Sequence, residues 1–305
     1  MAQSRSIAIL GGGLMGAGIA QVFASGGHSV TVFEPSNDVR NTLRPRVDAL
    51  RRLYDLDESP APVITVTDDL SVAVAGAEFV TEAAPEKLEL KRALFAELVK
   101  RAPVTAILAS NTSVIPIHRI ADGLPTAERI VGTHWWNPAG LIPLVEVVQS
   151  AKTSMATVTA TMELLASLGK APAHVTKDVP GFVANRLQHA LWREAIAMVA
   201  EGICDAATLD ACVKNSFGMR LAVLGPLENA DLVGLDLTLD IHRTIIPELS
   251  RLGHPDPYLE SRVAVGKLGF KTGMGFRTWS EAQIAELRAR LAAHLLGARS
   301  QGPAS

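Results

Sequence analysis

The sequence predicts an α/β fold: an N-terminal, mostly parallel sheet with helices on both faces, followed by an all-α C-terminal domain. Two observations carry this prediction. Up to about residue 178, eight short runs rich in β-branched residues alternate with longer amphipathic runs, a pattern typical of βαβ units. From Pro180 onward, the apolar residues recur mostly at helical spacing.

Each element of the first domain is expected from its local pattern. Short β-branched runs bounded by turn residues indicate strands, whereas apolar residues that recur every three or four positions indicate helices. The predicted strands are 6–10, 29–33, 63–66, 78–82, 106–110, 129–133, 144–148 and 172–176, and the main predicted helices between them are 14–25, 40–54, 88–101 and 156–168.

The remainder of the chain predicts a helical domain. Leu187, Leu191 and Met198 lie on one face of a helix that Gly202 ends. A chain of 305 residues is long for a single hydrophobic core, so two domains are expected, 1–178 and 179–305. The further predicted helices are 206–215, 235–252 and 280–296.

The composition excludes several classes of protein. Apolar residues make up 48% of the chain, which is too many for a disordered protein. A net charge of −2 argues against a nucleic-acid surface or a polybasic membrane surface, and no apolar run approaches the roughly 20 residues that span a bilayer. The two cysteines, Cys204 and Cys212, have no metal-ligand spacing and are interpreted as reduced core thiols. We expect a cytoplasmic protein without a bound metal.

The first strand, turn and helix have the pattern of a dinucleotide-binding site. Gly11 permits the tight turn, Gly13 lets backbone amides approach a pyrophosphate, and Gly16 lets helix and strand pack closely. Glu34, at the end of the second strand, is placed to accept hydrogen bonds from the ribose hydroxyls. A Rossmann-like domain is therefore predicted. Glu34 would repel a 2′-phosphate, so NAD is favoured over NADP, and Arg40 is the residue that could soften this preference.

Polar segments follow three further strands of the predicted sheet. They are residues 82–92, 110–117 and 133–138, and another polar segment, 179–187, opens the second domain. Because the carboxyl ends of parallel strands meet at one edge, where ligands bind, these segments are expected to converge beside the cofactor.

One of these segments sets two ionisable groups into apolar surroundings. In "THWWNPAGLIPLVEVV" the imidazole of His134 and the carboxylate of Glu146 lie at opposite ends of a run that otherwise lacks charge. They are either a structural core pair or a general base with its tuning carboxylate. A free histidine titrates near 6.5, which suits a base that removes a hydroxyl proton.

Taken together, these segments resemble the L-3-hydroxyacyl-CoA dehydrogenase family over nearly the whole chain. The motifs that carry the resemblance are "GGGLMGAGIAQ", "SNTS", "H-x-x-N-P…LVEVV", "PGF-x-x-NR" and "GFKTGMGF". The resemblance implies NAD-dependent oxidation of the hydroxyl of a 3-hydroxyacyl compound in fatty acid metabolism, and a homodimer formed through the helical domain.

The resemblance also implies roles for individual residues. His134 matches the general base, Glu146 its partner, Ser113 the hydroxyl near the substrate oxygen, and Asn185 the asparagine that helps to hold substrate and base. The cofactor-binding positions are Gly11, Gly13, Leu14, Met15, Gly16, Glu34, Glu86, Lys91 and Asn111, and the substrate-binding positions are Ser113, Trp135 and Asn137.

Three of these residues have plain structural alternatives. Ser113 could be the N-cap of the helix that follows it, Asn185 a solvated helix residue, and Lys91 a solvated lysine on the face of its helix. For the tryptophans at positions 135 and 136, a pocket position and a core position are both open.

The substrate is less defined than the reaction. Acyl-CoA-specific members carry a long charged helical hairpin after the second strand, whereas here the segment from Glu34 to Val63 is short. "PEKLELKR" and "ALWREA" resemble the L-carnitine dehydrogenase and lambda-crystallin (L-gulonate dehydrogenase) branch, whose substrates are free acids. A CoA thioester is placed first, with a free 3-hydroxy acid and a non-catalytic crystallin-like protein as alternatives.

Overall fold

The computed structural model describes residues 4–54 and 63–300. The chain forms two compact units, of which one comprises the described residues up to 185 together with 295–300, and the other comprises 186–294. The division therefore falls at residue 185, seven residues beyond the predicted boundary at residue 178 (185 − 178). Within the described part of the chain, no helix combines the length and apolarity needed to cross a bilayer.

The first unit is built on an eight-stranded sheet in the order β3-β2-β1-β4-β5-β6-β7-β8. Neighbouring strands are parallel except β6 and β7, which pair antiparallel. The strands are β1 Ser6–Leu10, β2 Ser29–Phe33, β3 Ile64–Thr67, β4 Phe79–Glu82, β5 Ile107–Ser110, β6 Ile130–Trp135, β7 Leu144–Val148 and β8 Ala171–Val175. The predicted mostly parallel sheet is confirmed, with strand bounds that shift by no more than two residues.

Helices cover both faces of this sheet. Alternate residues of β1 show it, because Ile7 and Ile9 join one hydrophobic cluster while Ala8 and Leu10 join another. The first cluster includes side chains of α1 and α6, and the second includes side chains of α4 and α5. The helices are α1 Leu14–Ser25, α2 Asn37–Leu53, α3 Leu70–Val74, α4 Leu88–Arg101, α5 Ile117–Ile120 and α6 Met155–Ser167.

The remaining helices confirm the predicted helical C-terminal region. The predicted helix 235–252 ends early, at Ile245, and one 3₁₀ turn containing Pro247 follows it, since proline lacks the amide that would continue the helix. The helices are α7 Ala184–Ala200, α8 Ala206–Lys214, α9 Pro226–Val233, α10 Leu235–Ile245, α11 Pro257–Ala264 and α12 Glu281–Ser300.

The apolar surface of the second unit is largely uncovered. None of the helices α8 to α11 contains a buried residue, and Leu227, Leu232 and Leu235 are 79%, 70% and 63% exposed. Both cysteines are free thiols, as predicted, but the core position assigned to them is wrong: Cys212 is exposed and Cys204 only half-buried. These side chains are exposed because the described residues do not cover this face of the helices.

Candidate active site

The predicted site residues gather at one edge of the sheet. The strands β1, β2, β4, β5 and β6 run parallel, so their carboxyl ends share this edge. The glycine turn follows β1, Glu34 follows β2, Glu86 follows β4, Ser113 follows β5, and His134 lies near the end of β6. The sheet order reverses between β1 and β4, which is the position at which open α/β sheets bind their ligands.

The glycine-rich turn has a shape that fits a dinucleotide. Gly11 has φ +102°, and a Cβ there would lie 2.9 Å from the carbonyl oxygen of Ala83, so a larger residue is excluded. A Cβ at Gly16 would overlap the carbonyl oxygen of Gly11, whereas Gly13 faces open space. Among the described residues, no side chain caps α1, so its first amides and the positive end of its dipole are available to the phosphates of a dinucleotide. Leu14 and Met15 supply those amides.

The carboxylate of Glu34 is fixed at the end of β2. It accepts hydrogen bonds from the backbone amides of Gly12, at 2.8 Å, and of Ser36, at 2.9 Å. An ionised carboxylate has about four acceptor positions, so two remain for ribose hydroxyls. The guanidinium of Arg40 already has partners within the protein. It donates to the carbonyl oxygens of Glu34 and Pro35 and forms an ion pair with Asp68 at 3.1 Å. This arrangement favours NAD over NADP.

We expect the substitution Glu34→Ala to raise the Kd for NADH by about 10- to 100-fold, because a hydrogen bond to a charged group contributes about 1.5–3 kcal/mol. The affinity for NADPH should fall less, since the repulsion of the 2′-phosphate disappears with the carboxylate. Fluorescence titration measures both affinities. The exposed Asp38, in the first turn of α2, provides the control substitution Asp38→Ala. Equal losses for both variants would contradict the assignment of Glu34.

His134 and Glu146 face each other across the antiparallel strands β6 and β7, where they are directly paired in register. The Nδ1 of His134 lies 2.7 Å from Oε2 of Glu146, and both side chains are almost fully buried, with exposures of 5% and 2%. The other carboxylate oxygen, Oε1, accepts hydrogen bonds from the amides of Val183, at 2.9 Å, and Ala184, at 3.1 Å.

These contacts keep Glu146 ionised. Burial is the largest single effect and would raise the pKa of Glu146, but the hydrogen bonds from His134, Ala184 and Val183 together outweigh it and lower that pKa. An ionised carboxylate can only accept, so it selects the imidazole tautomer with the proton on Nδ1. In the neutral imidazole, the lone pair is then on Nε2, as a general base requires.

A buried network connects the ends of β4 and β5. The ammonium group of Lys91 lies 2.7 Å from Glu82 and 3.3 Å from Glu86, and the Lys91 side chain is fully buried. The interpretation of Lys91 as a solvated lysine is therefore wrong, because its helix α4 turns this position towards the sheet. Its role at the cofactor stays a prediction.

Glu86 holds the loop that carries Ser113. Its carboxylate accepts from Thr112 Oγ1, at 2.5 Å, and from the amides of Ser113 and Val114, at 2.9 and 3.0 Å. Burial would raise the pKa of Glu86, but Thr112, the charge of Lys91 and the two amides together lower it. Ser113 does not cap helix α5, whose N-cap is Pro116, so the structural alternative for Ser113 is wrong.

Two asparagines connect separate parts of the site through their side chains. The Nδ2 of Asn185 donates to the carbonyl oxygen of Ser113 at 3.0 Å, so Asn185 is not simply a solvated helix residue. The Oδ1 of Asn111 accepts from the amide of Trp135 at 3.0 Å and ties the end of β5 to β6. Both contacts fix backbone positions and leave the hydroxyl of Ser113 uninvolved.

The substrate role predicted for Trp135 is wrong. Its side chain is 3% exposed and packs in the core against Phe23, with ring centroids 5.9 Å apart. Successive residues of a strand point to opposite faces, so Trp136 returns to the side of His134, and their ring centroids lie 5.3 Å apart. Asn137, which follows, is exposed, and its role in substrate binding stays a prediction.

Sequence reasoning missed residues that support the predicted ones. Glu82 is predicted only as the end of a strand, since an acidic residue nine positions before a lysine does not by itself indicate a buried pair. Phe182 has φ +51° and its ring centroid lies 5.7 Å from that of His134. Nothing in the local sequence indicated that the amides after Phe182 would reach Glu146.

Comparison with known proteins agrees with this geometry. Residues 6–179 match the family model described as 3-hydroxyacyl-CoA dehydrogenase, NAD binding domain. Residues 181–279 match the C-terminal domain of the same family. The two matches together span most of the chain.

Individual relatives differ in what their names say they act on. The chain is 34% identical over 300 residues to 5-formyl-3-hydroxy-2-methylpyridine 4-carboxylate 5-dehydrogenase of Mesorhizobium japonicum, covering 97% of each chain. It is 41% identical over 234 residues to L-carnitine dehydrogenase of Streptomyces coelicolor, covering 75% of this chain and 74% of the relative.

Two solved structures give the corresponding structural similarity. A crystal structure of the 5-formyl-3-hydroxy-2-methylpyridine 4-carboxylic acid dehydrogenase, described as an NAD⁺-dependent dismutase, has a TM-score of 0.91 at 34% identity, over 97% of this chain and 98% of that one. The (S)-3-hydroxybutyryl-CoA dehydrogenase of Ralstonia eutropha has a TM-score of 0.72 at 30% identity, over 92% and 100%.

Proposed function

Because this chain belongs to the 3-hydroxyacyl-CoA dehydrogenase family and is an NAD-dependent dehydrogenase acting on CH–OH groups, we propose that its substrate is a 3-hydroxy compound that it oxidises to the 3-keto product, and that this substrate is a free acid. The sequence alone ranks a CoA thioester ahead of a free acid as the substrate. The short segment after β2 and two of the relatives support the free acid, whereas the Ralstonia eutropha structure is named for a CoA thioester.

The segment between β2 and β3 carries this preference. Only α2, Asn37–Leu53, and a short stretch that includes residues outside the described ones lie between Phe33 and Ile64. A long helical hairpin that grips CoA has no room there. The relatives that support a free acid are an L-carnitine dehydrogenase and a dehydrogenase of a pyridine carboxylate.

The residues at the sheet edge suit the chemistry. We propose that His134 accepts the hydroxyl proton on Nε2 while Glu146 stabilises the imidazolium that forms. The hydroxyl of Ser113, on a loop fixed by Glu86, donates to the substrate oxygen and stabilises its alkoxide character. Asn185 holds that loop from the other side. NAD, when bound, supplies the nicotinamide that accepts the hydride.

The proposal is tested by NADH formation with L-3-hydroxybutyrate, L-carnitine, L-gulonate and L-3-hydroxybutyryl-CoA side by side. We expect at least one free acid to exceed the thioester in kcat/KM. A higher value for the thioester would contradict the free-acid proposal and restore the first alternative. No NADH with any hydroxy compound would favour the crystallin-like, non-catalytic alternative.

A second candidate is oxidation of a heteroaromatic aldehyde or alcohol that carries a carboxylate. The TM-score of 0.91 to the pyridine carboxylate dehydrogenase supports it. Adding 5-formyl-3-hydroxy-2-methylpyridine 4-carboxylate to the same assay separates the two, because the first proposal expects no turnover of this compound.

We also propose a homodimer formed through the second unit. Several leucines on the neighbouring helices α9 and α10 are exposed, and exposed apolar side chains grouped in this way are typical of an association surface. Light scattering should give twice the chain mass of 32.3 kDa, and Leu237→Asp, on α10, should lower it towards one chain. A wild-type mass of one chain at micromolar concentration would exclude the dimer.

A further inference from the structure

Trp136 carries a hydrogen-bond donor that the chain itself does not use. Its Nε1 is shielded from solvent and has no hydrogen-bond partner among the described residues. The indole N–H can only donate, so it needs an acceptor. Buried polar groups of native proteins are nearly always paired, and an exception beside a reactive group calls for a functional explanation.

The position of this donor is defined by the strand. Trp136 follows β6, and its ring lies beside that of His134, with centroids 5.3 Å apart and planes inclined by 55°. Trp135, between them, points into the core on the opposite face. The unpaired donor and the candidate base therefore share one side of the sheet edge.

The substrate offers two groups that can accept hydrogen bonds. In a 3-hydroxy acid, the hydroxyl group contacts His134 and Ser113 in the reaction proposed above. The carboxylate carbon is two carbon–carbon bonds away from the carbinol carbon. This separation fits within the distance between the neighbouring rings of His134 and Trp136. A carboxylate also accepts a stronger hydrogen bond than a neutral carbonyl does.

We infer that Trp136 is a specificity-determining residue, whose indole N–H binds the carboxylate of a free hydroxy acid; this inference rests on the proposed function. Lys91, whose ammonium group lies beside Glu82 and Glu86, is neutralised by these two glutamates and is not available as the carboxylate partner. The neutral indole N–H of Trp136 can bind a small anion at this position without the help of a positively charged side chain.

Nuclear magnetic resonance tests the contact without turnover. The chain has four tryptophans, so a ¹H–¹⁵N spectrum contains four indole peaks, and Trp136→Phe identifies the one from Trp136. L-3-hydroxybutyrate added to the enzyme–NADH complex cannot react, because both partners are already reduced. We expect the Trp136 proton to move downfield with the acid and to stay in place with its methyl ester. An unmoved peak at tens of millimolar acid would overturn the inference, whichever compound the enzyme oxidises.

Kinetics provide the second test. Trp136→Phe keeps the ring and removes the donor, so KM for the acid should rise by about 10- to 100-fold, the range of a hydrogen bond to a charged group, with kcat nearly unchanged. KM for the methyl ester should change little. The same substitution at Trp279, whose ring packs on Phe270 and Arg277, is the control. Equal effects on acid and ester would overturn the inference, whereas failure of the proposed function would appear as no oxidation of any free acid by the wild type.

Discussion

The substitution His134→Ala is expected to lower kcat by roughly 10²–10⁴-fold, the usual contribution of a positioned acid–base group. The imidazole is held by a 2.7 Å hydrogen bond to Glu146, so the lone pair on Nε2 is oriented before substrate binds. Alanine leaves no group that can take the hydroxyl proton. Steady-state NADH formation measures the loss, and the Kd for NADH should remain close to the wild-type value.

The substitution Glu146→Gln keeps the imidazole of His134 but removes the carboxylate that orients it. The variant therefore tests the orientation of the base separately from its presence. Glutamine has nearly the same shape but no charge, so the imidazole tautomer is no longer selected and the imidazolium is no longer stabilised. We expect kcat to fall in this variant as well, with less effect on KM. Full activity of His134→Ala would show that another residue removes the proton. Full activity of Glu146→Gln would show that the buried pair is only structural.

Lys91→Met should destabilise the protein by about 3–5 kcal/mol, the effect of breaking a buried ion pair. The ammonium group lies between Glu82 and Glu86, and methionine would leave Glu82 charged, buried and without its main partner. The free energy of unfolding, measured with a chemical denaturant, reports the loss. Since Glu86 also holds the amides of Ser113 and Val114, kcat should fall too.

Lys100→Met is the matched control on the same helix. Lys100 pairs with Glu97 in solvent, with side-chain exposures of 67% and 38%, and such surface pairs contribute little to stability. The unfolding midpoint of this variant should stay at the wild-type value. If Lys91→Met were as stable as Lys100→Met, the buried network would not support the fold in the way its geometry indicates.

The glycine turn and the pair of His134 and Glu146 could be predicted because each depends on short, local signals. A strand, a glycine-rich turn and an acidic strand end occur in fixed order within the 29 residues from Ser6 to Glu34 (34 − 6 + 1). The pairing of β7 with β6 is also local, because only residues 136–143 separate the two strands before His134 and Glu146 come opposite each other.

The surroundings of Lys91 and the two tryptophans could not be predicted in the same way. The partners of Lys91 come from β4 and the segment after it, and only the pairing of β4 with β5 brings Ser110 into contact with Glu82. For the tryptophans, strand alternation predicts opposite faces, but which face is the core depends on the register between β6 and its neighbours. That register is a property of the folded sheet.

Glu146 connects the candidate base to the segment that follows the sheet. One of its oxygens orients His134, and the other receives the first amides of helix α7, from Val183 and Ala184. All eight strands end by Val175, so a fragment that stopped there would contain the whole sheet and both members of the pair. It would nevertheless lack the two donors that help to lower the pKa of Glu146. In the proposed mechanism, the base and its partner are therefore complete only once the chain extends past its last strand to Ala184.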